Sequence, residues 1–379
     1  MPEALMVTSS FLPGRGGIES YLAELCNLVA PRLAVLAPPE RDGNPIPSGL
    51  RYPTHGLRSG SLLIPTRRVV RAIAELAARY ETTKIVLGTP WPLGLLGPDL
   101  SAVGLNYVVI VHGAELLVPG AVPGLRRRMA RAMAGADLLL PVSGYTGDVL
   151  RDLVEGSGLP APPIERLHAR VDLDRFHPEV ETRSTRARLG LSSGDKVVLC
   201  FGRLVKRKGI HRLIEALPRI HKRVPGAVVV IAGTGPELGG LKRLADKTPG
   251  RVIFAGRVPD DEAPAFYALA DIFALPVTDR YFGLEIEGLG VVLLEAAACA
   301  TPCVTGRSGG TPEAVLDGRT GYVIDGGDVD ALADKVFHLL DNPEAARAMG
   351  SAGREHVREA FSNDSLPAPF LAWLNDRLP

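Results

Sequence analysis

Glu287-Gly-Leu-Gly-Val-Val-Leu-Leu-Glu295 stands between two apolar runs, Asp271-Ile-Phe-Ala-Leu-Pro276 before it and Val291 to Ala300 within and after it. The first run has the length of a buried strand, and the second reads as a buried helix. Gly288 and Gly290 therefore fall at a strand-to-helix turn. A helix start presents unpaired N–H groups and the positive end of the helix dipole, which together favour an anion. Glycines there let a phosphate approach the backbone. Eight helical residues rise about 12 Å, enough to set Glu287 and Glu295 at opposite ends of an extended ligand. Carboxylates accept hydrogen bonds from hydroxyls, so a sugar and a ribose flanking a diphosphate fit the spacing. The plain alternative is a helix cap at Glu287 and a half-exposed helical position at Glu295.

Outward from this stretch the chain repeats the same alternation. Ala4-Leu-Met-Val-Thr8, Arg32–Ala37, Thr83–Gly88, Asn106–Val111 and Ala136–Pro141 read as strands, with helical patterns between them. Lys196–Phe201, Ala227–Ala232, Arg251–Ala255, Asp271–Pro276, Pro302–Thr305 and Gly321–Asp325 continue the series. Strands alternating with helices predict parallel α/β sheets. At 379 residues the chain exceeds one core. The charged, non-periodic segment Glu179–Arg188 places the boundary at residues 180/181, with domains 1–180 and 181–360 and a C-terminal helical segment 361–379.

Composition excludes several classes. The chain has 46% hydrophobic and 22% charged residues and a net charge of +1, so nothing global favours nucleic acid. Cys26, Cys200, Cys299 and Cys303 lack paired metal spacing and read as buried thiols. No required metal or cofactor is expected. The N-terminus lacks a basic signal region, and no apolar run reaches spanning length, so a cytoplasmic protein is expected. The six-residue glycine fingerprint of dinucleotide folds is missing, which argues against an NAD-linked enzyme.

In open parallel sheets, ligands bind beyond the carboxyl ends of the strands. Five places there carry candidate chemistry. Gly16 and Gly17 open a helix after the first strand, where backbone N–H groups suit a phosphate or serve only a permissive turn. His112, followed by Gly113 and Glu115, ends a strand. Arg203 and Lys208 lie at the strand-to-helix turn after Phe201, where two cations suit a diphosphate leaving group. Lys206 and Arg207 beside them read as an exposed basic loop. The loop Gly256–Asp260, with Gly256 and Val258, suits a nucleobase. Glu287, Gly288, Leu289, Gly290, Val291 and Glu295 complete the set. Two basic stretches, Arg67, Arg68 and Arg71, and Arg126, Arg127, Arg128 and Arg131, adjoin apolar residues. Each reads as a solvated helix face or a contact with an anionic bilayer.

The Gly-rich loop 14–17, His112-Gly-x-Glu115, Gly202-Arg203 with Lys208-Gly209, Gly233-x-Gly-Pro236, Glu287-x7-Glu295 and Ser308-Gly-Gly-x-Pro-Glu313 occur in one order across nearly the whole chain. This ordered set resembles the retaining glycosyltransferases of the GT-B fold, family 4. Within that family the chain is most similar to the actinobacterial phosphatidylinositol mannoside mannosyltransferases, a likeness carried largely by Tyr281 to Ala296, and it departs in the His112-Gly-x-Glu115 motif at Ala114, where relatives often carry His. The resemblance implies two Rossmann-like domains facing a cleft and a C-terminal helix crossing back to the first. It implies a nucleotide-sugar donor, GDP-mannose, and an anionic lipid acceptor at the inner face of the plasma membrane. Arg203 and Lys208 would hold the diphosphate, Glu295 the ribose, and Glu287 with the backbone of Gly288–Val291 the transferred sugar. His112 would act at the reacting centre, and Gly16 and Gly17 at phosphate or acceptor. Alternatives are a UDP-sugar with a soluble acceptor, and a nucleotide-sugar-binding protein without catalysis.

Overall fold

The computed structural model describes residues 1–14, 16–41, 43–57, 63–362 and 366–375. The chain forms two compact units. One holds residues 1–170 together with the C-terminal helix Ala368–Leu374, and the other holds residues 171–362.

The first unit contains strands β1 (Ala4–Val7), β2 (Leu33–Ala37), β3 (Glu40–Arg41), β4 (Asn44–Pro45), β5 (Thr54–Gly56), β6 (Lys84–Leu87), β7 (Asn106–Val111) and β8 (Leu138–Pro141). Six of them form one parallel sheet in the order β5-β2-β1-β6-β7-β8, and β3 and β4 pair antiparallel. The second unit contains β9 (Lys196–Phe201), β10 (Ala227–Ala232), β11 (Arg251–Gly256), β12 (Ile272–Leu275), β13 (Cys303–Gly306) and β14 (Gly321–Ile324), in the order β11-β10-β9-β12-β13-β14. Both sheets carry the doubly wound 3-2-1-4-5-6 order. The central strands are buried on both faces, which is why they read as unbroken apolar runs and not as alternating ones.

In such a sheet the order reverses between two neighbours, and the loops leaving that point diverge to make a crevice. In the second unit the neighbours are β9 and β12, paired with Phe273 beside Leu199. Their carboxyl ends therefore lie side by side, and the loops 202–209 and 276–290 leave from the same place.

The division between the units falls after Arg170, ten residues ahead of the expected 180/181. Residues 171–178 belong to the second core. Val171 N–H donates to the Phe361 carbonyl at 2.9 Å, Phe176 packs edge-on against Tyr267, and an Arg354 guanidinium N–H donates to the Phe176 carbonyl.

The C-terminal helix is part of the first core. Phe370, Trp373 and Leu374 are buried, the Trp373 indole N–H donates to Asp137 at 2.8 Å, and Lys84 Nζ donates to the Leu374 carbonyl at 2.7 Å. Trp373→Ala removes this wedge and leaves Asp137 without its donor. It is expected to destabilise the first unit by about 3–5 kcal/mol in urea unfolding. A loss below about 1 kcal/mol would show that the helix is not part of that core. No helix among the described residues is long and apolar enough to cross a membrane.

Candidate active site

The second unit brings Arg203, Lys208 and Glu287 to the loops at the β9/β12 reversal, whereas Gly256 ends β11 and Val258 follows it, two strands from β9. The helix opened by the quoted stretch is Val291–Ala298, with Gly290 as its left-handed N-cap (φ 86°). It is shorter than the expected run to Ala300, because Ala300 itself turns left-handed at φ 55°. Glu287 therefore lies in the loop, three residues ahead of the N-cap Gly290, and not at the start of a helix extending to Glu295. Only Val291 to Glu295 of that interval is helical, a rise of about 6 Å.

Glu287 is held from two sides. Its N–H donates to Ser308 Oγ at 3.0 Å, and its carbonyl accepts the Gly310 N–H at 3.1 Å. Gly309, at φ +50°, lies so close that a Cβ there would be 2.0 Å from the Glu287 carbonyl oxygen. The Ser308-Gly-Gly stretch after β13 thus fixes the loop after β12. Ser308 is itself oriented by donating to Asp279 at 2.5 Å.

The Glu287 side chain is 12% exposed and meets two cations. Lys208 Nζ is 2.8 Å from Oε2, and an Arg207 guanidinium N–H donates to the same oxygen. Oε1 takes neither bond. Burial pushes the carboxyl pKa up, but Lys208 and Arg207 more than offset it and hold the group below its ordinary value. Glu287 is therefore an anion. Arg207 also lies 3.7 Å from Glu285, which in turn pairs with Arg280 at 3.1 Å. A buried pair of this kind is well satisfied while intact and costly when one partner is removed.

Arg207 corrects its reading as an exposed basic loop residue. Residues 206–208 form a single 3-10 turn. That turn leaves Lys206 exposed, brings Arg207 and Lys208 inward, and ends at Gly209 with φ 66°. A Cβ at Gly209 would lie 1.9 Å from the Pro276 carbonyl, so only glycine lets this turn pack on the end of β12. Arg203, in contrast, is exposed at the mouth of the same loop. Lys208 is buried, yet its ammonium has three donors and the pairing with Glu287 uses one.

Glu295 sits one turn into the helix, over an aromatic cluster. Tyr267 is fully buried between Phe201 and Phe273, and its hydroxyl donates to Glu295 Oε2 at 2.5 Å. Burial, followed by the Glu295 charge, pushes the phenol pKa far up, so it stays a donor. Glu295 is thereby oriented from beneath. Gly256, at φ 70°, ends β11, and open space lies where its Cβ would be. Val258 beyond it is half-buried. Gly288 is half-buried, and Leu289 is buried.

In the first unit, His112 follows β7 and is buried. Its Nε2–H donates to the Gly88 carbonyl at 2.9 Å, its backbone N–H donates to Glu115 at 2.5 Å, and the ring stands edge-on to Tyr21. Nε2 is thus committed to the protein, and only Nδ1 is left for a ligand. Gly16 is the extended N-cap of the helix Gly17–Leu28; Arg15 of the expected loop 14–17 lies outside the described residues. Glu19 occupies that helix's first turn and pairs with Arg41 at 2.6 Å, so the helix start already has a carboxylate beside it.

Of the basic stretches, Arg67, Arg68 and Arg71 are exposed on the helix Arg67–Arg79, whose other face buries Val69, Ile73 and Ala77. Arg127, Arg128 and Arg131 are exposed near Val118 and Val122, themselves 59% and 52% exposed. Arg126 differs: it is half-buried and donates to the Asp152 carbonyl at 3.0 Å, a C-terminal position of the helix Gly144–Glu155. It is tied into the fold, as befits a cation at a helix end.

Two doubly wound units, one carrying an Arg-Lys-Glu constellation at its switch point, define a glycosyltransferase of the GT-B fold. Solved structures agree: sucrose-phosphate synthase from Thermosynechococcus elongatus aligns with a TM-score of 0.78 at 23% identity over 95% of this chain and 94% of that one. Anabaena Alr3699/HepE, solved with UDP and glucose, aligns with a TM-score of 0.80 at 20% identity over 99% and 100%. Residues 181–356 match the family described as glycosyl transferases group 1. The chain is 41% identical to the GDP-mannose-dependent alpha-(1-6)-phosphatidylinositol monomannoside mannosyltransferase of Mycolicibacterium smegmatis, over 92% of each chain. It is 34% identical to the GDP-mannose-dependent monoacylated alpha-(1-6)-phosphatidylinositol monomannoside mannosyltransferase of Corynebacterium glutamicum, over 95% of this chain and 94% of that one. The chain belongs to the group 1 glycosyltransferases, and within them to the branch that contains these actinobacterial mannosyltransferases.

Proposed function

We propose that this chain transfers mannose from GDP-mannose to a phosphatidylinositol mannoside lipid, with retention at the anomeric carbon and without a required metal. The 41% identity to the Mycolicibacterium smegmatis mannosyltransferase over 92% of both chains carries this reading. The Glu287 environment supports it. With Oε2 saturated by two cations, Oε1 is the acceptor left for a hydroxyl of the transferred sugar. The exposed Arg203 and the remaining donors of Lys208 suit the diphosphate, Glu295 the ribose hydroxyls, and Gly256 with Val258 the base. In the first unit, we assign His112 to the sugar through Nδ1.

As the bond from the anomeric carbon to the diphosphate oxygen breaks, negative charge grows on the leaving group and positive charge on the sugar. Cations at Arg203 and Lys208 stabilise the former, Lys208 from a buried and held position. Glu287, an anion held still by Arg207 and Lys208, stabilises the latter and is a weak nucleophile because its charge is already shared. The acceptor hydroxyl attacks from the face the diphosphate leaves and passes its proton to the departing phosphate oxygen. Cations of the protein itself at the diphosphate support a transfer that requires no divalent ion.

Titration calorimetry with GDP and UDP, in EDTA and in magnesium, tests donor and metal together. The expected result is a GDP preference on the order of tenfold or more, unchanged by EDTA. A UDP preference would overturn the donor, and binding abolished by EDTA would overturn the metal-free site.

A further inference from the structure

A basic cleft lies on the carboxyl edge of the β9–β14 sheet, joined to the Glu287 network through Arg280, Glu285 and Arg207. It measures about 520 Å³ and is lined by Lys206, Arg212, Arg280 and Arg307, with Asp279 and Asp325. These residues come from the loops after β9, β12, β13 and β14 and from the first turn of the helix Ile210–Arg223. Several of the charges are already engaged. Asp279 accepts from Ser308, Asp325 accepts the Gly327 N–H, Arg212 donates to Thr278, and Arg280 pairs with Glu285. Lys206 and Arg307 are exposed, and neither side chain has a hydrogen-bond or ion-pair partner among the described residues. With four cations against two carboxylates the lining is net positive, which fits an anion.

The same loop that brings Arg280 to the cleft then projects two aromatic rings. Tyr281 is 61% exposed and Phe282 is fully exposed. Both have left-handed backbones, at φ 52° and 56°, which side-chain-bearing residues seldom adopt. The tip is held there by paired backbone hydrogen bonds between Arg280 and Glu285 at 3.0 and 3.2 Å, and by the Arg280 guanidinium over the Tyr281 ring at 4.5 Å. Two exposed rings on the loop whose Arg280 lines a basic cleft fit an anionic bilayer, whose headgroup phosphates meet the cations and whose interfacial layer takes the rings.

We propose that Tyr281 and Phe282, together with Lys206 and Arg307, form a membrane-docking site on the second unit for phosphate headgroups of anionic lipids. The proposal rests on the lipid-acceptor reading above, and it is independent of the basic stretches of the first unit.

Co-sedimentation with phosphatidylcholine vesicles, with and without phosphatidylglycerol, tests it on the full chain. Wild type is expected to bind only the anionic vesicles. Phe282→Ser and the double variant Lys206→Gln/Arg307→Gln are each expected to lower the vesicle partition coefficient about tenfold, with GDP binding unchanged. Wild-type-like vesicle binding by both variants would overturn the site. So would displacement of the protein from anionic vesicles by soluble inorganic phosphate together with no effect of Phe282→Ser, which would mark a soluble-ligand site instead. Vesicle binding is read without turnover, so a failure of mannosyl transfer in detergent micelles would refute the proposed reaction separately from the docking site.

Discussion

Glu287→Gln is expected to lower kcat for mannosyl transfer by about 10²–10³-fold while GDP affinity stays within about twofold. The amide keeps the size of the side chain and its place under the Ser308–Gly310 strap, so the loop geometry survives. What is lost is the fixed negative charge that Lys208 and Arg207 hold in place beside the reacting sugar. Alanine would be a poorer choice, since it leaves two cations facing an empty space and is expected to cost about 3–5 kcal/mol in stability. Steady-state rates with GDP titrations and a thermal melt on the same preparation separate the two effects. Undiminished kcat in a folded Gln variant would remove Glu287 from the chemistry.

Lys208→Met is the second large effect, and it differs in kind. Lys208 is buried, pairs with Glu287 at 2.8 Å, and keeps two donors for a diphosphate. Its loss is expected to weaken GDP binding about tenfold and also to lower kcat by on the order of 10²-fold, because one side chain serves both the leaving group and the positioning of Glu287. Arg207→Met is the internal comparison. Arg207 touches Glu287 and lies near Glu285, so its loss is expected to lower kcat with little change in GDP affinity. If Arg207→Met and Lys208→Met weaken GDP equally, the division of labour drawn from the geometry is wrong.

Much of this arrangement was legible in the residues alone. The unbroken apolar runs announce parallel strands buried on both faces, and strand-to-helix turns rich in glycine mark the carboxyl edges. The position of Glu287 and Lys208 on loops of one edge, with Glu295 one turn into the helix that follows, agrees with those two facts. Other features depend on contacts between distant segments and leave no local trace. Lys206-Arg207-Lys208 reads as three equivalent basic residues until a 3-10 turn ending at Gly209 divides them into one outward and two inward side chains. Ser308-Gly-Gly is visible as a motif, but its grip on Glu287 requires β12 and β13 to be neighbours. The helix Val291–Ala298 is shorter than its apolar run because Cys299 and Ala300 leave the helical conformation while remaining apolar. Hydropathy reports burial there, not backbone shape. The charged segment Glu179–Arg188 looks like a boundary, whereas Phe176 had already entered the second core against Tyr267. Arg126 looks like its neighbours Arg127 and Arg128 until the Asp152 carbonyl, on another helix, takes it out of the surface.

The central claim is the reaction itself. Its most direct measurement incubates the full chain with GDP-mannose and phosphatidylinositol monomannoside in detergent and follows the product by mass spectrometry and NMR. The account predicts one added hexose on the lipid, joined through an α-anomeric carbon, formed equally in EDTA. A β-linked product, or mannose released only to water while the lipid stays unchanged, would contradict it.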